Sequence, residues 1–130
     1  GGRQYGVTLV NMGNPHCVVF ADPDKIDVGA LGKRFENHPA FPDRRNNEFV
    51  KAEGRNRLKM RVWERGSGET FACGTGACAC AVAAVLNGLC DKGEEITVSL
   101  LGGELKIVYT DETVYMTGGA TLAFTGDIEI

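Results

Sequence analysis

Apolar and polar positions along the chain follow two rhythms, and where each holds, it predicts an element. Positions 5–12 alternate well enough for a strand, Gly13, Asn14 and Pro15 interrupt it, and the apolar run 16–20 resumes as a second strand. Asp22-Pro23-Asp24 is a turn. Beyond it Asp27 is placed to cap a short helix over 28–36, with Leu31 and Phe35 one turn apart on a single face. This helix reads as structural. Residues 37–47 hold two of the four prolines together with Arg44, Arg45, Asn46 and Asn47, and read as a solvated loop. Alternation returns at 48–52 and 57–63, joined by a tight turn over 53–56. In the second of these strands Leu58, Met60 and Val62 share one face and Arg57, Lys59 and Arg61 the other. The basic stripe reads as a solvated face rather than a phosphate-binding patch. Strands are also predicted at 95–100, 104–110, 114–117 and 121–130, with short turns at Gly102-Gly103, Asp111-Glu112 and Gly118-Gly119 that suit antiparallel hairpins.

The stretch 64–89 keeps neither rhythm. From Ala77 to Leu86 it holds no charged and no hydroxyl side chain. A helix apolar on every face cannot lie with one side in water, so burial all round is predicted. Its side chains are mostly Ala and Cys, small enough for strands to approach its axis closely, and Gly88 suits a C-terminal cap. These elements add up to an α+β domain in which a mixed, mostly antiparallel curved sheet of about eight strands wraps around a buried central helix. There is no internal repeat and no low-complexity segment.

Composition narrows the classes. The 130 residues are 43% hydrophobic and 24% charged, enough for one domain with one sizeable core. A formal charge of −3 and a pI near 5.4 give no reason to expect a nucleic-acid or anionic-membrane partner. No run approaches the roughly 18 apolar residues of a membrane span, and the opening residues lack a signal-peptide pattern, so a cytoplasmic protein is expected. The five cysteines are odd in number, and Cys73, Cys78 and Cys80 lack paired zinc-site spacing, so neither a disulfide framework nor a metal site is expected. The absence of an initiator Met before Gly1-Gly2-Arg3 suggests a fragment or a processed chain.

Candidate chemistry concentrates just before the apolar helix. Cys73 precedes Gly74, Thr75 and Gly76, which places a thiol where the first N–H groups of the helix have no acceptor. Such a terminus favours negative charge, lowers a thiol's pKa, and makes a ready site for a carboxylate or phosphate. Cys78, Cys80 and Cys90 read instead as small buried hydrophobes. Asn14 and His16 stand at a strand junction, and taken alone His16 reads as a surface or hydrogen-bonded core histidine.

Several segments together carry a more specific signal: GNPHCV at 13–18, ENHPAFPDRRN at 36–46, RVWERGSGET at 61–70, ACGTGACA at 72–79, GGEL at 102–105 and VYMTG at 114–118. In this order, over nearly the whole chain, they resemble the C-terminal half of diaminopimelate epimerase. The family's N-terminal half, with its other catalytic cysteine, and the first segment of its C-terminal domain are missing. Leu101 stands where a proline is usual, and Cys80 and Cys90 are extra, none of them within a motif.

The resemblance implies a cofactor-independent, two-thiol epimerase, needing no pyridoxal phosphate, that interconverts LL- and meso-diaminopimelate in lysine and peptidoglycan precursor biosynthesis. Residues 1–130 would be the C-terminal domain of a two-domain enzyme, partnered by its N-terminal half, with the full-length protein a homodimer. By resemblance Cys73 is one catalytic acid/base thiol, and Gly74 and Thr75 hold the α-carboxylate. Asn14 and Asn46 bind the distal amino-acid end, Arg65 pairs with the distal carboxylate, and His16 and Glu64 modulate the thiols, Glu64 also lying in the substrate site. The chemistry agrees with these residue types. Inverting an amino-acid α-carbon requires two opposed acid/base groups, and backbone N–H groups at a helix N-terminus suit a carboxylate that takes on enolate character. A carboxylate beside a thiolate raises its pKa, so Glu64 suits accepting a proton from Cys73 better than stabilising its charge. A proline racemase-like isomerase shares the CGTG turn but takes a substrate without a distal carboxylate, which the ERGSGET run and Asn46 argue against. An isolated domain, catalytically inert by itself, is the third reading.

Overall fold

In a computed structural model the chain is described over residues 4–42 and 44–130. Gly1, Gly2 and Arg3 at the start, and Asp43 within the predicted loop and the 36–46 motif, lie outside the described residues. Eight strands and two helices follow in the order β1 (Val7–Asn11), β2 (Pro15–Phe20), α1 (Val28–Glu36), β3 (Asn46–Gly54), β4 (Arg57–Glu64), β5 (Gly68–Thr70), α2 (Gly74–Leu86), β6 (Glu95–Leu100), β7 (Gly103–Tyr109) and β8 (Val114–Thr117). They form one mixed sheet ordered β1-β2-β3-β4-β6-β7-β8, with β5 paired to β4 off that path. Two pairs, β2·β3 and β4·β6, are parallel, each joined by a crossover that carries a helix, and the others are antiparallel. The predicted α+β class and the curved sheet around a central helix hold.

Strand parity sorts the core onto the two faces of the sheet. Val18, Val50, Leu58, Met60, Val62, Ile96, Val98 and Ile107 pack with the buried Ala and Cys residues of α2. Cys17, Val19 and Phe49 face the other way and pack with Val28, Leu31, Phe35 and Trp63, so α1 closes the second layer. α2 touches every strand except β5, and residues Gly76 to Ala84 are buried. Small side chains permit this approach, and enlarging one of those alanines would cost about 1–3 kcal/mol by overpacking. Burial is not complete, because Leu86 in the last turn is exposed. Asp27 caps α1 through a 2.9 Å bond from Ala30 N–H, and Gly88, with φ of +76°, ends α2 after Asn87.

Three expectations are corrected. The loop predicted to run to Asn47 ends earlier, because Asn46 and Asn47 pair in parallel with His16 and Cys17 and are buried. A non-local partner overrides their polar, turn-like character. The short strand β5 was not expected, since Gly68-Glu69-Thr70 has no alternation, and it forms by folding back on Val62, Trp63 and Glu64. Residues 121–130 are not a strand. The chain leaves the sheet edge after β8, and the alternating Leu122, Phe124, Ile128 and Ile130 are all exposed, Phe124 at 81%. An extended segment needs a neighbour for its N–H and C=O groups, and among the described residues none lies beside it. The basic stripe of β4 is ion-paired across the surface, Arg57 to Glu104, Lys59 to Asp24 and Arg61 to Glu69.

Candidate active site

Strand direction gathers the candidate residues. β2 and β3 are parallel and β4 runs against them, so β2 and β3 begin where β4 ends, and His16 lies across from Asn46 as Asn47 does from Trp63. Asn14 and His16 at the start of β2, Asn46 at the start of β3, and Glu64 and Arg65 at the end of β4 therefore share one end of the sheet. The N-terminus of α2 comes to the same end, where Asn14 Nδ2 lies 3.5 Å from Thr75 Oγ1.

Cys73 is the N-cap of α2, with extended backbone at φ −147° and ψ 106°. Its Sγ accepts from Gly76 N–H at 3.4 Å and lies 3.7 Å from Thr75 Oγ1. The N–H groups of Gly74 and Thr75, in the same first turn, have no acceptor within the helix. Cys73 is half-buried, whereas Cys17, Cys78, Cys80 and Cys90 are buried. The expected lowering of the Cys73 thiol pKa is not found. Burial raises it above the ordinary thiol value, and the Glu64 and Glu48 carboxylates push the same way, outweighing the hydrogen bonds from Thr75 and Gly76. Burial pushes Cys17 further, to about 12.

The remaining candidates are held by one another. His16 is fully buried, with Nδ1 2.6 Å from Glu48 Oε1 and Nε2 3.0 Å from Asn14 Oδ1. Asn46 Oδ1 accepts from Arg65 N–H at 2.6 Å, which ties the start of β3 to the end of β4. Arg65 itself is exposed. Glu64 accepts a short hydrogen bond from Thr70 Oγ1 of β5 and acts on Cys73 through its charge. An open depression of about 300 Å³ lies at the opposite end of β2 and β3, lined by Phe20, Val50, Ala52 and Leu89, and none of the candidate residues borders it. The thiol end is open, with Phe71, Ala72 and Thr75 exposed beside Cys73.

Three participants escaped the sequence reading. Glu48, 0% exposed, anchors His16. Its place was available in outline, since two positions after Asn46 on a strand is the same face. Thr70, which holds Glu64, lies on the unexpected β5. Glu36, at the end of α1, accepts from Trp63 Nε1 at 2.8 Å and Gly66 N–H at 3.1 Å, and pairs with Arg44 at 3.1 Å, so it supports the turn that follows Arg65. Those bonds hold its carboxyl below the ordinary glutamate value, the Trp63 bond most, against the opposing effect of burial.

A family model described as diaminopimelate epimerase matches residues 8–123. A diaminopimelate epimerase of Nostoc punctiforme is 54% identical over 130 residues, covering 98% of this chain and 46% of that protein. One of Desulfovibrio desulfuricans is 51% identical over 132 residues, covering 99% and 45%. The chain spans about half the length of the curated relatives it matches. Among solved structures, a PhzF-family phenazine biosynthesis protein of Bacillus anthracis aligns with a TM-score of 0.56 at 25% identity, over 80% of this chain and 33% of that one. Its counterpart from Enterococcus faecalis gives 0.60 at 18% identity, over 83% and 41%, a likeness of fold.

Proposed function

Since this chain belongs to the diaminopimelate epimerase family, we propose that it is the C-terminal domain of a two-domain, cofactor-independent epimerase of diaminopimelate and supplies half of its active site. The observation that carries this reading is the Cys73 thiol capping α2 beside the Gly74 and Thr75 N–H groups, at the same open end of the sheet as Asn14, Asn46, Glu64 and Arg65.

In this reaction the substrate's α-carboxylate lies against the Gly74 and Thr75 N–H groups. A thiolate on the N-terminal half removes the α-proton, and the electron pair left behind passes into the carboxylate as enolate character, which the helix terminus stabilises. The Cys73 thiol then returns a proton to the opposite face and becomes a thiolate; in the reverse direction the two sulfurs exchange roles. A Cys73 pKa held high by burial and by the Glu64 carboxylate favours the protonated thiol at neutral pH, which suits the donor role. Asn14 and Asn46 bind the distal amino-acid end, and Arg65 forms a fork-shaped pair with the distal carboxylate. Glu64 takes up the Cys73 proton when that sulfur must act as base.

The open thiol end and the uncovered apolar residues of 121–130 support a partner in the N-terminal half of the same enzyme. The whole protein is proposed to be a cytoplasmic homodimer in lysine and peptidoglycan precursor biosynthesis. Exchange of the α-hydrogen of LL-diaminopimelate in D₂O tests the proposal, using this chain alone, this chain with the N-terminal half, and a Cys73→Ala version of each. Exchange is expected only with both halves and only with Cys73. A reconstituted pair that is folded by circular dichroism yet exchanges nothing overturns the substrate assignment, and exchange of proline instead identifies a racemase-like enzyme.

A further inference from the structure

The proposed reaction leaves one fully buried acidic side chain unused. Glu48 lies on the α2 face of β3, with Oε1 2.6 Å from His16 Nδ1 and no partner for Oε2. Burying a carboxyl with one oxygen unsatisfied is costly, so what the other oxygen does must be worth that cost. From Oε1 a continuous line of polar contacts leads outward. His16 Nε2 is 3.0 Å from Asn14 Oδ1, Asn14 Nδ2 is 3.5 Å from Thr75 Oγ1, and Thr75 Oγ1 is 3.7 Å from Cys73 Sγ. The line also closes on itself in space, because a Cβ built on Gly76 would lie 2.8 Å from Glu48 Oε1 and 3.2 Å from Cys73 Sγ.

Proton counting along this line is restrictive. Both ring nitrogens of His16 face oxygens, so Nε2 carries a proton and donates it to Asn14 Oδ1. A second proton must lie between Nδ1 and Glu48 Oε1, which leaves the buried pair neutral overall whichever atom holds it. With Oδ1 occupied, Asn14 presents its amide N–H to the side chain of Thr75, whose backbone N–H is one of the two proposed to receive the substrate carboxylate.

Resting on the reading above, we propose that Glu48 is a positioning residue: it shares one proton with His16, and the imidazole so fixed sets the Asn14 amide against Thr75 and Cys73. Gln at position 48 can donate its amide to Nδ1 and preserve this order; Leu cannot.

Nitrogen NMR of uniformly ¹⁵N-labelled protein, on this chain joined to its N-terminal half, reads both His16 ring nitrogens and the Asn14 side-chain amide without substrate. In the wild type the Nε2-bound proton is expected to exchange slowly. Glu48→Leu should make that proton exchange rapidly and shift the Asn14 amide resonances, while Glu48→Gln keeps Nε2 protonated with Nδ1 bare. Misplacing site groups by about 1 Å can cost about 100-fold, so kcat/KM should fall between about 10- and 100-fold in Glu48→Leu and stay within about threefold in Glu48→Gln. A Glu48→Leu protein whose His16 proton and Asn14 resonances match the wild type overturns the proposal. If that variant does not fold, Glu48→Gln decides, and a ring protonated at Nδ1 and bare at Nε2 overturns it. Because the NMR reading needs no turnover, an inactive wild type would count against the substrate assignment and leave the Glu48 result intact.

Discussion

Replacing Gly76 by Ala sets two effects of known sign against each other. Gly76 is the third residue of α2 with ordinary helical backbone, so Ala should gain up to about 1 kcal/mol of helix propensity. The new Cβ, however, would lie 2.8 Å from Glu48 Oε1, 3.2 Å from Glu48 Cγ and 3.2 Å from Cys73 Sγ. The carboxyl must move, and it is held by burial and by the 2.6 Å contact with His16. Separating that buried pair costs about 1–3 kcal/mol, so a net loss of up to about 2 kcal/mol is expected. Gly29 in α1 is the control, because a Cβ there would meet only Asp27 Oδ1, at 3.4 Å, and Gly29→Ala should simply gain the propensity. Urea unfolding reads both as shifts of midpoint at constant m. Gly76→Ala should unfold earlier than the wild type and Gly29→Ala later. If both variants gain equally, the Glu48 carboxyl moves freely, and the packing argument for an ordered line from Glu48 to Cys73 fails.

Two more predictions concern titration. Iodoacetamide should modify Cys73 before the four buried cysteines, with a rate that keeps climbing at pH values above the ordinary thiol pKa, because burial first and then Glu64 and Glu48 raise it. Glu64→Gln removes one of those carboxylates and should lower the midpoint; a wild-type midpoint below that of a small free thiol would mean the helix terminus prevails. For Glu36 the folded carboxyl is lowered below the ordinary 4.5, so its contribution is present above that value and lost as pH falls through the folded value. Glu36→Gln should therefore cost about 1–3 kcal/mol near neutrality and progressively less as pH is lowered below 4.5, read from urea midpoints at neutral pH and at the lowest pH where the protein stays folded. An equal cost at the two pH values would show that ionisation of Glu36 is not what holds Trp63 and Gly66.

Features that depend on neighbours in sequence were legible. Asp27 marks the start of α1 because its cap bond reaches only three residues ahead, and the apolar run after Gly76 marks α2 because no charge interrupts it. Alternation likewise located β4 and the hairpins of β6, β7 and β8. What depends on a distant partner was not legible. Asn46 and Asn47 look like loop until β2 lies beside them, and Glu48 has no meaning as an anchor without His16, 32 positions away. The tail shows the opposite case: its alternation is plain, but alternation reports only a side-chain pattern, and the ladder that makes a strand needs an edge that no described residue provides. Of the candidate site, the thiol and its helix terminus followed from the residues alone. The roles proposed for Asn14, His16, Asn46 and Arg65 rest only on resemblance, because parallel pairing across a helical crossover leaves no local mark.

The electrostatics of Cys73 make sense once the proposed reaction is required to run both ways. A thiol set only by the helix terminus would rest as thiolate, a good base and a poor donor. One set only by burial would hold its proton and never act as base. Here the two act together: Gly76 N–H and the Thr75 hydroxyl lie at the sulfur, ready to stabilise the anion, while burial and the Glu64 carboxylate favour the thiol. The balance lies on the protonated side in this chain, so the cost of forming the thiolate is small only when something takes the proton or brings compensating charge. Glu64, held by Thr70 at the same end of the sheet, can do the first. In the proposed reaction the substrate's ammonium group, entering with an α-carboxylate docked on Gly74 and Thr75, would do the second, so substrate binding would itself move Cys73 toward the poise that a two-way proton carrier requires.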